Sequence, residues 1–285
     1  MTAYIDYLIS AQHEMGGWGY LSGRKPVIEP TSAVLLALRD EPGARDSFQR
    51  GITWLLKCQH QDGGWGINEN DLESGWQTAW ALIALKYSNQ GSDSVSRGEH
   101  WLQSVATLEF TADQFLNPES LLNGQLLSLV WPWLPGQGGW IEPTALAVLA
   151  LANLADSPSV APRLQAALSY FKKNRTPEGG WNIGNATPLD TTVLPRAFPT
   201  ALVLIAMERI ARQDIQSIDL TALQQDVKRD PSILVKSAGL LAIRSLGQLD
   251  ETLNTYLTAH QLQDGSWDHN PFSSAWAGMA LRGYL

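Results

Sequence analysis

The stretch PTSAVLLAL, from Pro30 to Leu38, returns as QTAWALIAL from Gln77, PTALAVLAL from Pro143, PTALVLIAM from Pro199 and SSAWAGMAL from Ser273, with a degraded copy, VKSAGLLAI, from Val235. Each copy opens on residues suited to a helix start, then runs through small and branched apolar side chains with no polar face. Proline costs little in a first helical turn, where its missing N–H would have no intrahelical partner, and a hydroxyl beside it can accept from free backbone donors. A helix apolar on every side must be covered on every side. The copies therefore predict buried inner helices with defined starts.

A second phrase precedes most of them: QHEMGGWG from Gln12, QHQDGGWG from Gln59, GQGGW ending at Trp140, TPEGGWN around Trp181, and QLQDGSW from Gln261. Amphipathic stretches such as FQRGITWLLKCQ and LQAALSYFKKN lie upstream. Glycine supplies the left-handed conformation that ends a helix, so the unit reads as outer helix, Gly-Trp turn, inner helix. Inner-helix copies begin near residues 30, 77, 143, 199, 235 and 273. They predict an all-α fold, an α/α toroid (α6/α6 barrel) of six helical-hairpin repeats, in one domain over residues 1–285. Insertions fall at about 107–139 and 182–196. Such pairs are unstable alone and bury their inner members by closing into a ring, with open superhelical stacking as the competing arrangement.

Composition narrows the function. The 285 residues are 44% apolar with 12 Trp and only 17% charged, and the net charge of −8 leaves no basic stripe for a nucleic acid. A single cysteine, Cys58, excludes an internal disulfide and fits a reducing compartment. No signal-peptide pattern opens the chain, and its longest apolar runs are too short to span a bilayer, so a cytoplasmic location is expected. No Cys/His cluster has zinc-site spacing, and phosphate-binding glycine loops and G-x-S-x-G elbows are missing, so no cofactor or metal is implied. His13 and His60 take equivalent places at helix ends, and His260 and His269 flank the last turn.

The phrase QxxDGGW followed by a helix opening in PTA resembles the QW repeat of the terpenoid cyclase and prenyltransferase superfamily, most closely its squalene-hopene cyclase side, over Gln12 to Leu285. The resemblance implies that the turn glutamine closes the outer helix against the next backbone. It also implies that Trp18, Trp65, Trp140, Trp181 and Trp267 pack between helices. Trp80 and Trp276 share one position in the inner-helix phrase, where other copies have Ala33, Leu146, Leu202 and Ala238, and Trp76 lies one turn before Trp80. In a barrel like those of the relatives, that level faces the mouth of a central cavity. The rings there either line a substrate pocket or plug the lumen.

Class II cyclases of this fold start catalysis from the middle Asp of DxDDTA, a phrase this chain lacks. Superposing TA sets Glu29, in VIEPTSA, and Glu142, in WIEPTAL, against that Asp. Asp190, in TPLDTTVL, is a further carboxylate able to fold over the mouth, and Asp71 and Glu73 could join the rim. The competing reading of Glu29 and Glu142 is helix-end electrostatics, in which free N–H groups stabilise the anion and lower its pKa. The zinc ligand pattern of protein prenylation is also absent. Within the first insertion, LLSLVWPWLPGQ from Leu126 reads as a short helix packed under the loop. Left exposed instead, Trp131 and Trp133 would offer a peripheral membrane or subunit contact. The resulting expectation is a protein handling an isoprenoid or other apolar small molecule in the toroid's cavity, by acid-initiated cyclisation. The alternative is a non-catalytic toroid that binds a lipid or a protein partner.

Overall fold

The computed structural model describes residues 3–109, 126–184 and 191–283, leaving Asp190 outside. Among the described residues the helices alternate between outer and inner. The outer ones are α1 (Ala3–Ser10), α3 (Arg45–Lys57), α5 (Ser92–Ser104), α7 (Ala161–Asn174), α9 (Ser217–Arg229) and α11 (Glu251–Ala259). The inner ones are α2 (Ile28–Leu38), α4 (Gln77–Tyr87), α6 (Ile141–Leu151), α8 (Ala197–Ala211), α10 (Ile233–Ser245) and α12 (Pro271–Arg282). Each inner helix packs on the inner helices before and after it, and α12 packs on α2, so the ring closes. The outer helices lie against the backs of the inner ones, α5 over α4 and α6, α7 over α6 and α8, α9 over α8 and α10. No helix among the described residues is long and apolar enough to cross a membrane.

The turn phrase ties each unit together. In four turns the tryptophan indole donates to a carbonyl near the end of its own outer helix: Trp18 to Leu8, Trp65 to Leu55, Trp181 to Phe171 and Trp267 to Leu257, at 2.6 to 2.8 Å. The backbone N–H of the same tryptophan donates to the inner-helix hydroxyl of Thr31, Thr78, Thr200 or Ser274, each at 2.9 Å. These hydroxyls are buried, and the bond satisfies a turn donor that would otherwise be desolvated without a partner. The amide of Gln12 donates to the Ser47 carbonyl in the first turn of α3, and Gln59 does the same to Ser94 in α5. Gly16 and Gly63 have φ of +104° and +94°, and a Cβ on either would stand 2.7 Å from the carbonyl oxygen of Arg50 or Arg97. Only glycine lets the turn lie that close to the next outer helix.

The third unit departs from expectation. Trp131, not Trp140, takes the turn position: its indole donates to Leu102 O at 2.8 Å and its backbone N–H to Thr144 Oγ1 at 3.2 Å. Its ring is 2% exposed and lies 4.4 Å beneath the Arg163 guanidinium. Trp140 is the half-buried residue just before α6, although GQGGW copies the turn phrase. Spacing carried the right signal, because Trp18, Trp65 and Trp131 each stand thirteen residues before their threonine. Leu126–Ser128 is not helical either; it pairs antiparallel with Thr107–Glu109. Arg163 replaces the lost glycine turn. Its guanidinium donates to the carbonyls of Leu129, Gln103, Val105 and Val130, and burial lowers its pKa to about 10.

The fifth unit has no turn tryptophan. Lys236, aligned with Thr31, reaches Val227 O at 2.9 Å, the carbonyl equivalent to Leu8 O and Leu55 O in the other units. A buried ammonium thus does the work of an indole N–H.

Candidate functional site

The N-termini of the inner helices converge on one mouth of the barrel. In α2 every residue except Glu29 is buried, and in α6 the exceptions are Glu142 and Leu149. Both glutamates sit in the first turn after an isoleucine whose N–H is taken by a loop carbonyl: Ile28 by Ile67 at 2.9 Å and Ile141 by Ile183 at 3.1 Å. Helices α2 and α6 both pack on α4, which places the two acids on either side of the helix bearing Trp76 and Trp80.

The acids are electrostatically coupled and partly withdrawn from water. Burial raises Glu29 from its ordinary 4.5 to about 7; the Tyr20 hydroxyl, which donates to Glu29 Oε2, opposes the rise, and the charge of Glu142 adds to it. Burial alone raises Glu142 to about 7. Desolvation disfavours the charged form of a carboxyl, and a like charge nearby acts in the same direction. Burial therefore acts against the helix-end reading, in which both acids are stabilised as anions. Tyr20 is itself held well above its ordinary pKa, by burial first and then by Glu29.

Beneath the acids the rings close the lumen. Trp80 and Trp276 stand edge to face, centroids 5.9 Å apart, and Phe272 meets both at 6.1 and 6.2 Å. Phe198 joins from α8 at 5.6 Å from Trp276, and Tyr20 from above at 5.7 Å from Phe272. Trp80 and Trp276 are 3% and 1% exposed, so they act as a plug rather than an open wall. Edge-to-face pairs of this kind contribute about 0.5–1.5 kcal/mol each beyond their burial. Both indole N–H groups are buried without a hydrogen-bond acceptor. Tyr20 links plug to acid, touching Phe272 with its ring and Glu29 with its hydroxyl.

The family model described as the squalene-hopene cyclase C-terminal domain matches residues 1–114, which span α1 to α5. Type II terpene cyclase MstE from Scytonema, in a variant bound to merosterolic acid A, superposes over 99% of this chain and 95% of its own at TM-score 0.62 and 16% identity. The chain is therefore similar in fold to a type II terpene cyclase. Other structures share the fold at similar distance. A protein from Actinoplanes is 18% identical, with TM-score 0.63 over 99% of this chain and 97% of that one. An alpha-amylase from Clostridium perfringens is 11% identical, with TM-score 0.68 over 100% and 98%. At such identities the likeness is one of fold, and chemistry has to be argued from the site. A comparison with curated proteins finds no match.

Within this toroid, the structure brings together Glu29, Glu142, Trp76 and Trp80 from three consecutive inner helices and adds Trp276 from the helix that closes the ring. Trp76 is half-buried under Trp133, the two rings perpendicular at 4.9 Å. With Trp131 in the core and Trp133 on Trp76, neither ring is the open anchor that exposure would have made it. Asp71 is committed to its own loop, accepting from the backbone of Ile67 and Glu73. Tyr20, Phe198 and Phe272 were not singled out by sequence; only Phe198 carried a signal, lying immediately before a Pro-Thr helix start as Glu29 and Glu142 do. Among the described residues no group of three or more His, Cys, Asp or Glu side chains could hold a metal ion.

Proposed function

We propose that this chain is a cyclase-like or prenyltransferase-like protein that takes an isoprenoid or other apolar substrate at the inner-helix N-terminal mouth, with Glu29 as proton donor and Glu142 as its neighbour. The observation that carries the proposal is the acid pair itself: two carboxyls raised to about 7 beside an aromatic floor. A general acid works best when its pKa lies near the working pH. Such an acid is weak for a bare alkene, so the substrate favoured is an apolar molecule offering a basic oxygen, such as an epoxide. With the rings as they stand, that substrate would lie above Trp80 and Trp276, against Tyr20, Trp76 and Phe198, which are not fully buried, where ring faces can stabilise developing positive charge. The likeness to type II terpene cyclase MstE supports this reading at the level of fold.

The filled centre of the barrel favours a second reading, a non-catalytic toroid that binds a lipid or a protein partner. Incubation with linear polyprenes, their epoxides and isoprenoid diphosphates, followed by product analysis, separates the two. An α-glucan belongs in the same panel, since paired carboxyls also serve glycoside hydrolysis. Turnover reduced about a hundredfold or more in Glu29→Gln is expected for a general acid. Unchanged turnover in that variant would remove Glu29 from the role, and inactivity of the wild type on every substrate would favour the binding module.

A further inference from the structure

Burial along the inner helices breaks at two levels. The upper breaks, at Glu29, Glu142 and Phe198, belong to the acid mouth. In α4, α6 and α8 the lower ones fall at Lys86 and Tyr87, at Leu149, and at Glu208, Arg209 and Ile210. Ile83 and Leu149 stand three residues beyond Trp80 and Leu146, and Tyr87, Asn153 and Arg209 stand seven beyond Trp80, Leu146 and Leu202. Steps of three and seven keep side chains on one helix face. These residues therefore continue the lumen stripe below the plug, toward the opposite mouth. They line a cavity of about 430 Å³, within the range of small-molecule sites.

The chemistry of that cavity has a direction. Ile83, Leu149 and Ala152 are aliphatic, Lys86 and Arg209 are cationic, and no carboxylate is among its lining residues. Lys86 Nζ is fixed by Glu99 at 2.7 Å and by the Ala150 carbonyl and Asn153 side chain. Arg209 has its guanidinium 3.6 Å from Glu208 and a side chain 38% exposed. Arg39, Lys86, Arg244 and Arg282 each follow by eight residues the inner-helix position of Thr31, Thr78, Lys236 or Ser274, and Arg39, Lys86 and Arg282 are paired with Asp40, Glu99 and Glu41. Cations at helix C-termini offset the carbonyl ends of the macrodipoles, and here they do so on a chain of net charge −8.

We propose that this lower cavity binds an anionic amphiphile, its short aliphatic chain against Ile83 and Leu149 and its carboxylate or phosphate head at Arg209. The site is separate from the acid mouth and independent of the chemistry proposed there. Calorimetric titration of the full chain with decyl phosphate, decanoate and decanol tests it. Saturable binding of at least one anion, tighter than decanol, is expected. Arg209→Ala should weaken anion binding about tenfold, the effect of losing one hydrogen bond to a charged group, and leave decanol unchanged. Leu149→Trp should abolish binding by filling the cavity, and Asn153→Trp, nearer the rim, serves if the first variant does not fold by circular dichroism. No saturable anion binding by the wild type, equal binding of decanol, or full anion binding by a folded cavity-filling variant would overturn the proposal.

Discussion

Replacing Glu29 by glutamine is expected to stabilise the protein at alkaline pH and to do nothing of the kind at acid pH. A carboxyl whose pKa is 4.5 unfolded and about 7 folded holds its proton more tightly in the native state. Its favourable contribution is complete below pH 4.5 and is lost as pH rises through 7. Moving one carboxyl from 4.5 to about 7 corresponds to about 3 kcal/mol of stability lost above pH 7. Glutamine escapes that loss, and the bond from Tyr20 is already contained in the folded value. The expected gain at pH 8.5 is therefore about 3 kcal/mol, or roughly 6 °C or more in Tm for a chain of this size. At pH 4, where the carboxyl is neutral in both states, the variant should be level with the wild type or slightly weaker. Glu142→Gln should behave alike, and the double variant should gain less than the sum, because the charge of Glu142 is part of what raises Glu29. Urea unfolding followed by circular dichroism at pH 4, 6, 7 and 8.5 measures all of this. A wild-type-minus-variant difference that does not change with pH, or a variant less stable at pH 8.5, would refute the claim that burial governs these acids.

Trp131→Ala should cost about 3–5 kcal/mol, the usual loss for a buried tryptophan, and Trp140→Ala less than half as much; thermal melts of the two rank them directly, and the reverse order would return the turn to Trp140. Lys236→Met should lose about 1–3 kcal/mol by leaving Val227 O without its donor, whereas equal stability in urea would show that the ammonium is not the stand-in for a turn tryptophan.

Much of this site was readable only in pieces. Glu29 and Glu142 could be found by superposing two copies of one phrase, because each sits at a fixed offset from a Pro-Thr helix start. Their ionisation could not, since the free N–H groups of a helix start argue for an anion and burial argues for the acid. Helix starts are visible in a window of four residues; ionisation depends on burial in the fold, on the hydrogen bond from Tyr20 and on the charge of a glutamate more than a hundred positions away. Trp140 misled because it carries the turn's letters without its role. The threonine thirteen residues on marked Trp131, but a hydrogen bond between them is a property of the folded turn.

The sequence by itself determined the alternation of outer and inner helices, where each begins and stops, and that the inner ones must be enclosed. Those are local consequences of capping, glycine backbone freedom and the absence of a polar face. The tertiary structure alone decided that the ring closes α12 on α2, that aromatic rings from α4, α8 and α12 meet to divide the lumen, and that an acidic mouth lies at one end with a basic cavity at the other. The division follows from physics: backbone conformation answers to neighbours in the chain, whereas packing and ionisation answer to neighbours in space.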